Sequence, residues 1–248
     1  MTTDTKRLPI SLAALAVWTL ISVGGESTPS GTLNSLEDSM SVAIALPYLA
    51  ACLLLAALIA VMRWRDIGLN APRSVKSTLI LWFPALYLFL FYYTALLAGL
   101  PPLPIMAYLF INSLMVGFSE EVMFRGVLYQ ALLTRVSFWP AVWVSSALFG
   151  AVHILNFFVT GDIAAACAQA VAAFFCGILF MAIRLGTGSL WPAIGFHALW
   201  DFGTFLMSAS NGGRALPPPG ILSGMLPILL VVPNFAYGLY LLREKSRA

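Results

Sequence analysis

The sequence predicts an all-α protein that crosses a membrane repeatedly, as one polytopic bundle of about eight transmembrane helices. Of its 248 residues, 60% are hydrophobic and only 9% are charged, whereas soluble domains carry about 25% charged residues. The apolar residues form runs of about 20, the length that spans the hydrocarbon core of a bilayer as a helix. No segment shows the alternating pattern of barrel strands. We therefore expect residues 1–248 to form a single integral-membrane domain.

Eight apolar segments are predicted to be the transmembrane helices. They are residues 8–24, 42–62, 77–99, 105–124, 138–159, 163–184, 189–208 and 221–242. Prolines break the chain before the fourth span, and polar, turn-rich stretches occupy residues 25–41 and 211–220. The first span also has features of a cleaved signal peptide, because Lys6 and Arg7 precede it. Its apolar stretch is long for that role, and we expect it to be retained.

The basic residues predict the orientation of the spans. If both termini are cytoplasmic, one side of the membrane holds Lys6, Arg7, Arg63, Arg65, Arg73, Lys76, Arg135, Arg184, Arg243, Lys245 and Arg247. The other side then holds Arg214 beside Glu26, Glu37, Asp38 and Asp162. Short cytoplasmic loops of membrane proteins are enriched in Lys and Arg. We therefore expect a multi-pass protein with both termini in the cytoplasm.

A set of ionisable residues interrupts the apolar segments in the second half of the chain. Each charge inside a bilayer costs roughly 2.5–3.5 kcal/mol on the lenient insertion scales. Glu121 and Arg125 are spaced to form an ion pair along one helix. Glu120 lies about 100° from Glu121 around a helix, so we expect it to have a different partner and to face a cavity. The alternative is that all three residues form a helix end at the membrane surface.

The only two histidines of the chain, His153 and His197, also lie in predicted spans. A lone buried histidine is commonly structural, but Asp201 follows His197 by four residues and shares its helix face. A carboxylate there can orient the imidazole, or join it on a metal ion or a water molecule. Together with Glu120, these residues form an acid/base set suited to activating water and stabilising an oxyanion. The chain has no G-x-S-x-G motif, so we expect water to be the attacking group.

Three motifs, in this order, resemble those of the CPBP family of intramembrane proteases. Residues 120–125 match E-E-x-x-x-R, residues 149–153 match F-x-x-x-H and residues 197–201 match H-x-x-x-(N/D). The family includes the type II CAAX prenyl endopeptidases and bacteriocin-processing and immunity-related enzymes. The resemblance covers about residues 105–208, which we call the protease-like motif core. The first 100 residues carry no matching motif.

The resemblance implies an eight-helix membrane fold with a catalytic cavity toward the cytoplasmic side. It implies that Glu120 and His153 activate the hydrolytic water, and that His197 and Asp201 match positions that stabilise the tetrahedral intermediate. The last motif position is often asparagine in the family. An ionised aspartate cannot donate a hydrogen bond to an oxyanion. Asp201 must therefore be protonated, act through His197 or ligate a cation.

We expect a metal-free mechanism, and no metal is assigned. A divalent cation such as zinc is the alternative. Its candidate ligands would be Glu120, His153, His197 and Asp201. The cysteines are predicted to be small core residues without a disulfide or a thiolate metal site. They are Cys52, Cys167 and Cys176.

The predicted function is cleavage of membrane-proximal or lipidated peptides at the lipid bilayer. A prenylated CAAX-type substrate and a bacteriocin-like leader fit equally, no nucleic acid partner is expected, and the oligomeric state stays open. A proton- or ion-coupled transporter would also use intramembrane carboxylates and histidines. Residues 1–100 lack the matching repeat that transporters commonly have. A non-catalytic immunity or scaffold protein on the same fold is the third possibility.

Overall fold

The computed structural model of the chain describes residues 4–24, 36–210 and 221–247, which are helical apart from short connections. The helices are α1 (Asp4–Gly24), α2 (Leu36–Val42), α3 (Leu46–Met62), α4 (Trp82–Ala98), α5 (Leu103–Glu121), α6 (Tyr129–Leu132), α7 (Phe138–Val152), α8 (Phe157–Thr160), α9 (Ile163–Thr187), α10 (Trp191–Ser210) and α11 (Ile221–Arg247). A 3₁₀ helix, Val75–Leu81, leads into α4. A π-helical segment, Val122–Leu128, joins α5 to α6, and a second 3₁₀ turn, His153–Asn156, joins α7 to α8.

The predicted all-α class is confirmed. Five described segments are long and apolar enough to cross a membrane: Lys6–Gly24, Val75–Ala98, Leu103–Leu132, Phe138–Thr160 and Ile163–Thr187. Helix α3 is apolar but shorter, and the total of about eight transmembrane helices stays a prediction. The predicted loop at residues 211–220, with Arg214, lies outside the described residues, as do residues 25–35 with Glu26.

The prediction of turns throughout residues 25–41 is wrong at its end, where Leu36–Val42 forms α2. The reason is tertiary. Met40 is buried, and it packs in a small apolar cluster with Leu109 and Val116 of α5. Burial of such a side chain stabilises a short helix whose polar sequence would not support it alone.

Helix α9 is central to the bundle and packs against α7, α10 and α11. Every residue from 176 to 184 is buried, as expected of a helix that is apolar on all sides. Helix α5 packs against α10 through Gly117, where a Cβ atom would lie only 3.0 Å from the backbone nitrogen of Ala198. This close approach of two backbones brings together the two helices that carry Glu120 and His197.

Helix α1 is packed into the same bundle. The Trp18 ring is buried and meets the Phe124 ring edge-on at 5.5 Å. Near the other end of α1, the Arg7 guanidinium donates two hydrogen bonds to Asp66, at 2.7 and 2.8 Å. These hydrogen bonds lower the pKa of the Asp66 carboxyl below its usual value. The start of α1 is thereby joined to the loop between α3 and α4.

A buried amide fastens the α2–α3 connection to α5. Asn112 donates hydrogen bonds to the carbonyl oxygens of Met40 and Ala43, both at 2.8 Å, and accepts one from the Ala45 nitrogen at 2.9 Å. The side chain is fully buried, and in an apolar environment unpaired backbone groups are costly. Asn112 therefore supplies the partners that this non-helical backbone needs.

We expect Asn112→Leu to destabilise the protein, because it keeps a similar volume but leaves three backbone groups, buried or partly buried, without their partner. Each orphaned group costs about 1–3 kcal/mol. The neighbouring Ser113→Ala is the matched control. The Ser113 hydroxyl is fully buried but has no hydrogen-bond partner among the described residues. Thermal unfolding in detergent measures the difference, and equal losses of Tm in both variants would contradict the role of Asn112.

Candidate active site

The three sequence motifs meet at one cavity of about 100 Å³. Glu120 reaches it from α5, His153 from the 3₁₀ turn after α7, and His197 and Asp201 from α10. A cavity of this volume with several polar walls holds several water molecules. The structure therefore brings all four predicted catalytic residues to one site.

His197 lies between three carboxyl groups. Its Nδ1 is 2.9 Å from Oε1 of Glu121, and its Nε2 is 3.4 Å from Asp201 Oδ2 and 3.6 Å from Glu120 Oε2. Carboxylates accept hydrogen bonds, and both imidazole nitrogens donate only in the charged ring. This environment therefore stabilises His197 as an imidazolium.

The expectation that the two glutamates have separate partners is wrong. Glu120 and Glu121 both contact His197, one at each ring nitrogen. Their side chains do diverge around the helix, as the angle of about 100° requires. The imidazole is large enough to reach both, because its two nitrogens lie on different edges of the ring.

The predicted ion pair between Glu121 and Arg125 is present, at 2.9 Å, and both side chains are fully buried. Burial excludes the alternative of a solvated helix end at the membrane surface. The Arg125 guanidinium also lies over the Phe149 ring, 4.0 Å from its centroid, and 5.2 Å from that of Phe180. Arg125 belongs to the π-helical segment, a rare local structure that is frequent at functional sites.

His153 has a defined tautomer when it is neutral. Its Nδ1 lies 2.7 Å from the carbonyl oxygen of Phe149. A carbonyl oxygen only accepts, so Nδ1 carries the proton and Nε2 keeps a lone pair. The Phe149 ring contacts both histidines, with ring centroids 4.9 Å from His153 and 6.0 Å from His197.

Several residues of the site carry no sequence signal that would have revealed them. Phe180 of α9 stacks on His197, with ring centroids 4.6 Å apart and an interplanar angle of 21°. Asn156 and Gln169 also line the cavity, and the Asn156 amide donates a hydrogen bond of 2.9 Å to Gln169. A single aromatic or amide in an apolar helix is too common to identify a site from one sequence.

The geometry bears on the fit of a metal ion. Within the described ranges, no three His, Cys, Asp or Glu side chains are arranged as ligands of one ion. Asp201 instead faces His197, the arrangement expected if it acts through the imidazole. Among the cysteines, Cys176 is buried, Cys52 is partly buried and Cys167 is exposed. The prediction that all three are core residues is therefore wrong for Cys167, which lies on an outer face of α9.

The lining residues show how far the cavity extends along the bundle. Helix α1 carries Arg7 at its start and contributes Val23, near its opposite end, to the cavity. Helix α9 contributes Gln169 from near its start and carries Arg184 near its end. The cavity therefore extends away from Arg7 and Arg184, and the predicted cytoplasmic termini and cytoplasmic cavity stay predictions.

Comparison with known proteins agrees with the motifs. Residues 102–203 match the sequence model of a family described as type II CAAX prenyl endopeptidase Rce1-like. This segment contains α5, α7, α9 and all three motifs, so the resemblance to the CPBP proteases is confirmed there. No curated protein matches the chain. The fold and the match indicate an integral-membrane protein in which residues 102–203 are similar to the CAAX proteases.

We expect Glu121→Gln to lower the stability of the protein by about 3–5 kcal/mol, because it leaves the Arg125 cation buried without a charged partner. The adjacent Glu120→Gln is the control, since Oε2 of Glu120 has no hydrogen-bond partner in the described part of the chain. Thermal unfolding in detergent should show a large fall in Tm for the first variant and a small change for the second. A reversed order would argue against Glu121 as the structural member of the pair.

Proposed function

We propose that the protein is an endopeptidase that hydrolyses membrane-proximal or lipidated peptides with a water molecule activated by Glu120 and His153. The observation that carries the proposal is the meeting of Glu120, His153, His197 and Asp201 at one cavity of about 100 Å³. This cavity lies inside an apolar bundle, and all four residues belong to the segment that matches a protease family. Ionisable groups inside a membrane cost free energy, and where they occur they commonly mark a functional site.

Glu120 is the proposed general base. It takes a proton from water, the resulting hydroxide attacks the scissile carbonyl, and the proton is returned to the leaving amine. Glu120 lines the cavity that would hold this water, and its Oε2 has no hydrogen-bond partner among the described residues. The lone pair on His153 Nε2 accepts a hydrogen bond from the same water and orients it.

His197 is the proposed oxyanion donor. Glu121 holds the ring through Nδ1 at 2.9 Å, and a charged ring donates from Nε2 as well. The distances from Nε2 to the carboxyl oxygens, 3.4 and 3.6 Å, are long for hydrogen bonds. The Nε2–H group can therefore donate a hydrogen bond to the oxyanion of the tetrahedral intermediate. A donor at this position stabilises the negative charge that develops there.

Asp201 is proposed to act through His197. An ionised carboxylate near Nε2 favours the imidazolium and orients the ring before substrate binds. An asparagine at this position would accept from the same Nε2 proton with its amide oxygen. The Asp/Asn variation between this chain and its family is then chemically conservative.

We favour hydrolysis without a metal ion. A zinc ion, if bound by Glu120, His153, His197 and Asp201, would polarise the carbonyl and activate the water. In that case a chelator would abolish cleavage and added zinc would restore it. The metal-free mechanism predicts that neither the chelator nor added zinc changes the rate of cleavage.

We expect Glu120→Gln to lower kcat by about 10²–10⁴-fold with little change in KM, because the variant keeps the shape of the side chain but cannot accept the proton. The assay uses purified protein in liposomes and quenched fluorescent peptides, with and without a farnesylated cysteine. Glu244→Gln, an exposed change near the end of α11, is the control. Undiminished cleavage by Glu120→Gln would remove the proposed base.

The role of Asp201 makes a separate prediction. We expect Asp201→Asn to retain cleavage within about tenfold, and Asp201→Ala to lose more, because only asparagine still accepts from the ring. The same peptide assay measures both, with thermal unfolding as the control for folding. Loss of cleavage in Asp201→Asn together with sensitivity to chelation would instead indicate a metal ligand.

A further inference from the structure

Two side-chain amides, Asn156 and Gln169, line the cavity but have no part in the mechanism proposed above. Asn156 is the last residue of the 3₁₀ turn that begins at His153, and Gln169 lies in the second turn of α9. From residue 163 to residue 183, Gln169 is the only side chain that is charged or an amide. A polar group without a partner costs free energy in so apolar a segment, so its place there indicates a specific interaction.

The 3₁₀ turn places Asn156 beside His153. A 3₁₀ helix has three residues per turn, so side chains three positions apart nearly eclipse one another. Both side chains line the cavity, as this spacing predicts. Helix α9 packs against the turn, and the Asn156 amide nitrogen donates a hydrogen bond of 2.9 Å to Oε1 of Gln169. These two amides, which we call the amide pair, therefore adjoin the histidine that is proposed to orient the water.

The exposure of the lining residues increases from the proposed base to the amide pair. Glu120 is buried, Asn156 is partly buried and Gln169 is exposed. The amide pair therefore lies toward the open edge of the cavity, and Glu120 lies deeper. The cavity has a volume of only about 100 Å³, and an extended peptide advances about 3.3 Å per residue. A peptide whose scissile carbonyl is at Glu120 therefore has its neighbouring main chain close to the amide pair.

The hydrogen-bonding groups of the amide pair match those of a peptide main chain. One hydrogen bond joins the two amides, and it leaves N–H groups and oxygen lone pairs that can bind other groups. This holds whichever amide donates, because each carries both an NH₂ group and a carbonyl oxygen. A residue of an extended peptide presents its N–H and C=O groups on the same side, as in paired antiparallel strands. One acceptor and one donor of the amide pair can bind these two groups.

We propose that Asn156 and Gln169 bind the main chain of the substrate beside the scissile bond, and thereby hold the scissile carbonyl near the water at Glu120 and His153. This assignment rests on the proposed endopeptidase function. Main-chain hydrogen bonds recognise an extended peptide without regard to its side chains. The substrate is therefore a peptide segment that enters the cavity in extended form, and the amide pair requires no particular side chain from it.

A purely structural role of the amide pair predicts a different behaviour. The hydrogen bond would then only join the turn after α7 to α9, and its loss would lower the stability of the protein without changing how the peptide is recognised. The two roles are separated by changing the peptide and the protein together. A change in the peptide main chain should weaken recognition only while the amide pair is present.

The test removes single N–H groups from the substrate. A quenched fluorescent peptide is prepared with one main-chain amide at a time replaced by an ester, at each position flanking the scissile bond. We expect one ester to lower kcat/KM of the wild-type protein by about five- to tenfold, mainly through KM, because one hydrogen bond of the complex is lost. In the double variant Asn156→Ala/Gln169→Ala the same ester should cost less than about twofold. One of the two single variants should reproduce this loss of the ester effect.

Thr160→Val is the matched control. The Thr160 hydroxyl donates a hydrogen bond of 3.0 Å to the main-chain oxygen of Asn156, so this variant disturbs the same segment without altering the wall of the cavity. It should keep the full ester effect, and thermal unfolding measures the stability of every variant. An ester effect of equal size in the wild-type protein and the double variant would overturn the proposal and leave the endopeptidase function intact.

A binding measurement separates the amide pair from the endopeptidase function. The Glu120→Gln protein, in which turnover is slow, is placed in nanodiscs, and fluorescence anisotropy gives the Kd of the peptide and of each ester. The ester that weakens binding should no longer do so when Asn156 and Gln169 are also replaced by alanine. That result without cleavage by the wild-type protein would count against the endopeptidase and support main-chain binding. Equal ester effects on Kd with and without the amide pair would overturn the amide pair alone.

Discussion

The site depends on one buried carboxylate that two cationic groups share. Oε1 of Glu121 is 2.9 Å from the Arg125 guanidinium and 2.9 Å from Nδ1 of His197. The first contact lies within one run of helix, and the second joins α5 to α10. Because the carboxylate is fully buried, neither cation can exchange it for water, and the three groups keep one arrangement.

Aromatic rings complete the stabilisation of these charges. The Arg125 guanidinium lies over the rings of Phe149 and Phe180, and both rings also contact His197. The ring faces supply negative potential where no water is near. In the proposed mechanism Glu121 and Arg125 hold His197 so that its other ring nitrogen is presented to the cavity, and Glu120 is the general base.

The spacing of residues along single helices made some of these contacts predictable. The contact of Glu121 with Arg125 and that of His197 with Asp201 follow from helical geometry alone. The contact of Glu121 with His197 joins residues 76 positions apart, and it depends on the close approach of α5 and α10 at Gly117. Asn112 and Phe180 were missed for the same reason, since their partners lie on other helices.

The sequence by itself determined the helical class, the apolar segments and the residues of the site, because hydrophobicity and spacing along one helix are local properties. Only the tertiary structure decided that both glutamates contact one histidine, because that requires two backbones to meet. It also decided which helices line the cavity. A sequence motif shows which residues share a helix face. The depth of a cavity depends on where neighbouring helices separate and where they pack together.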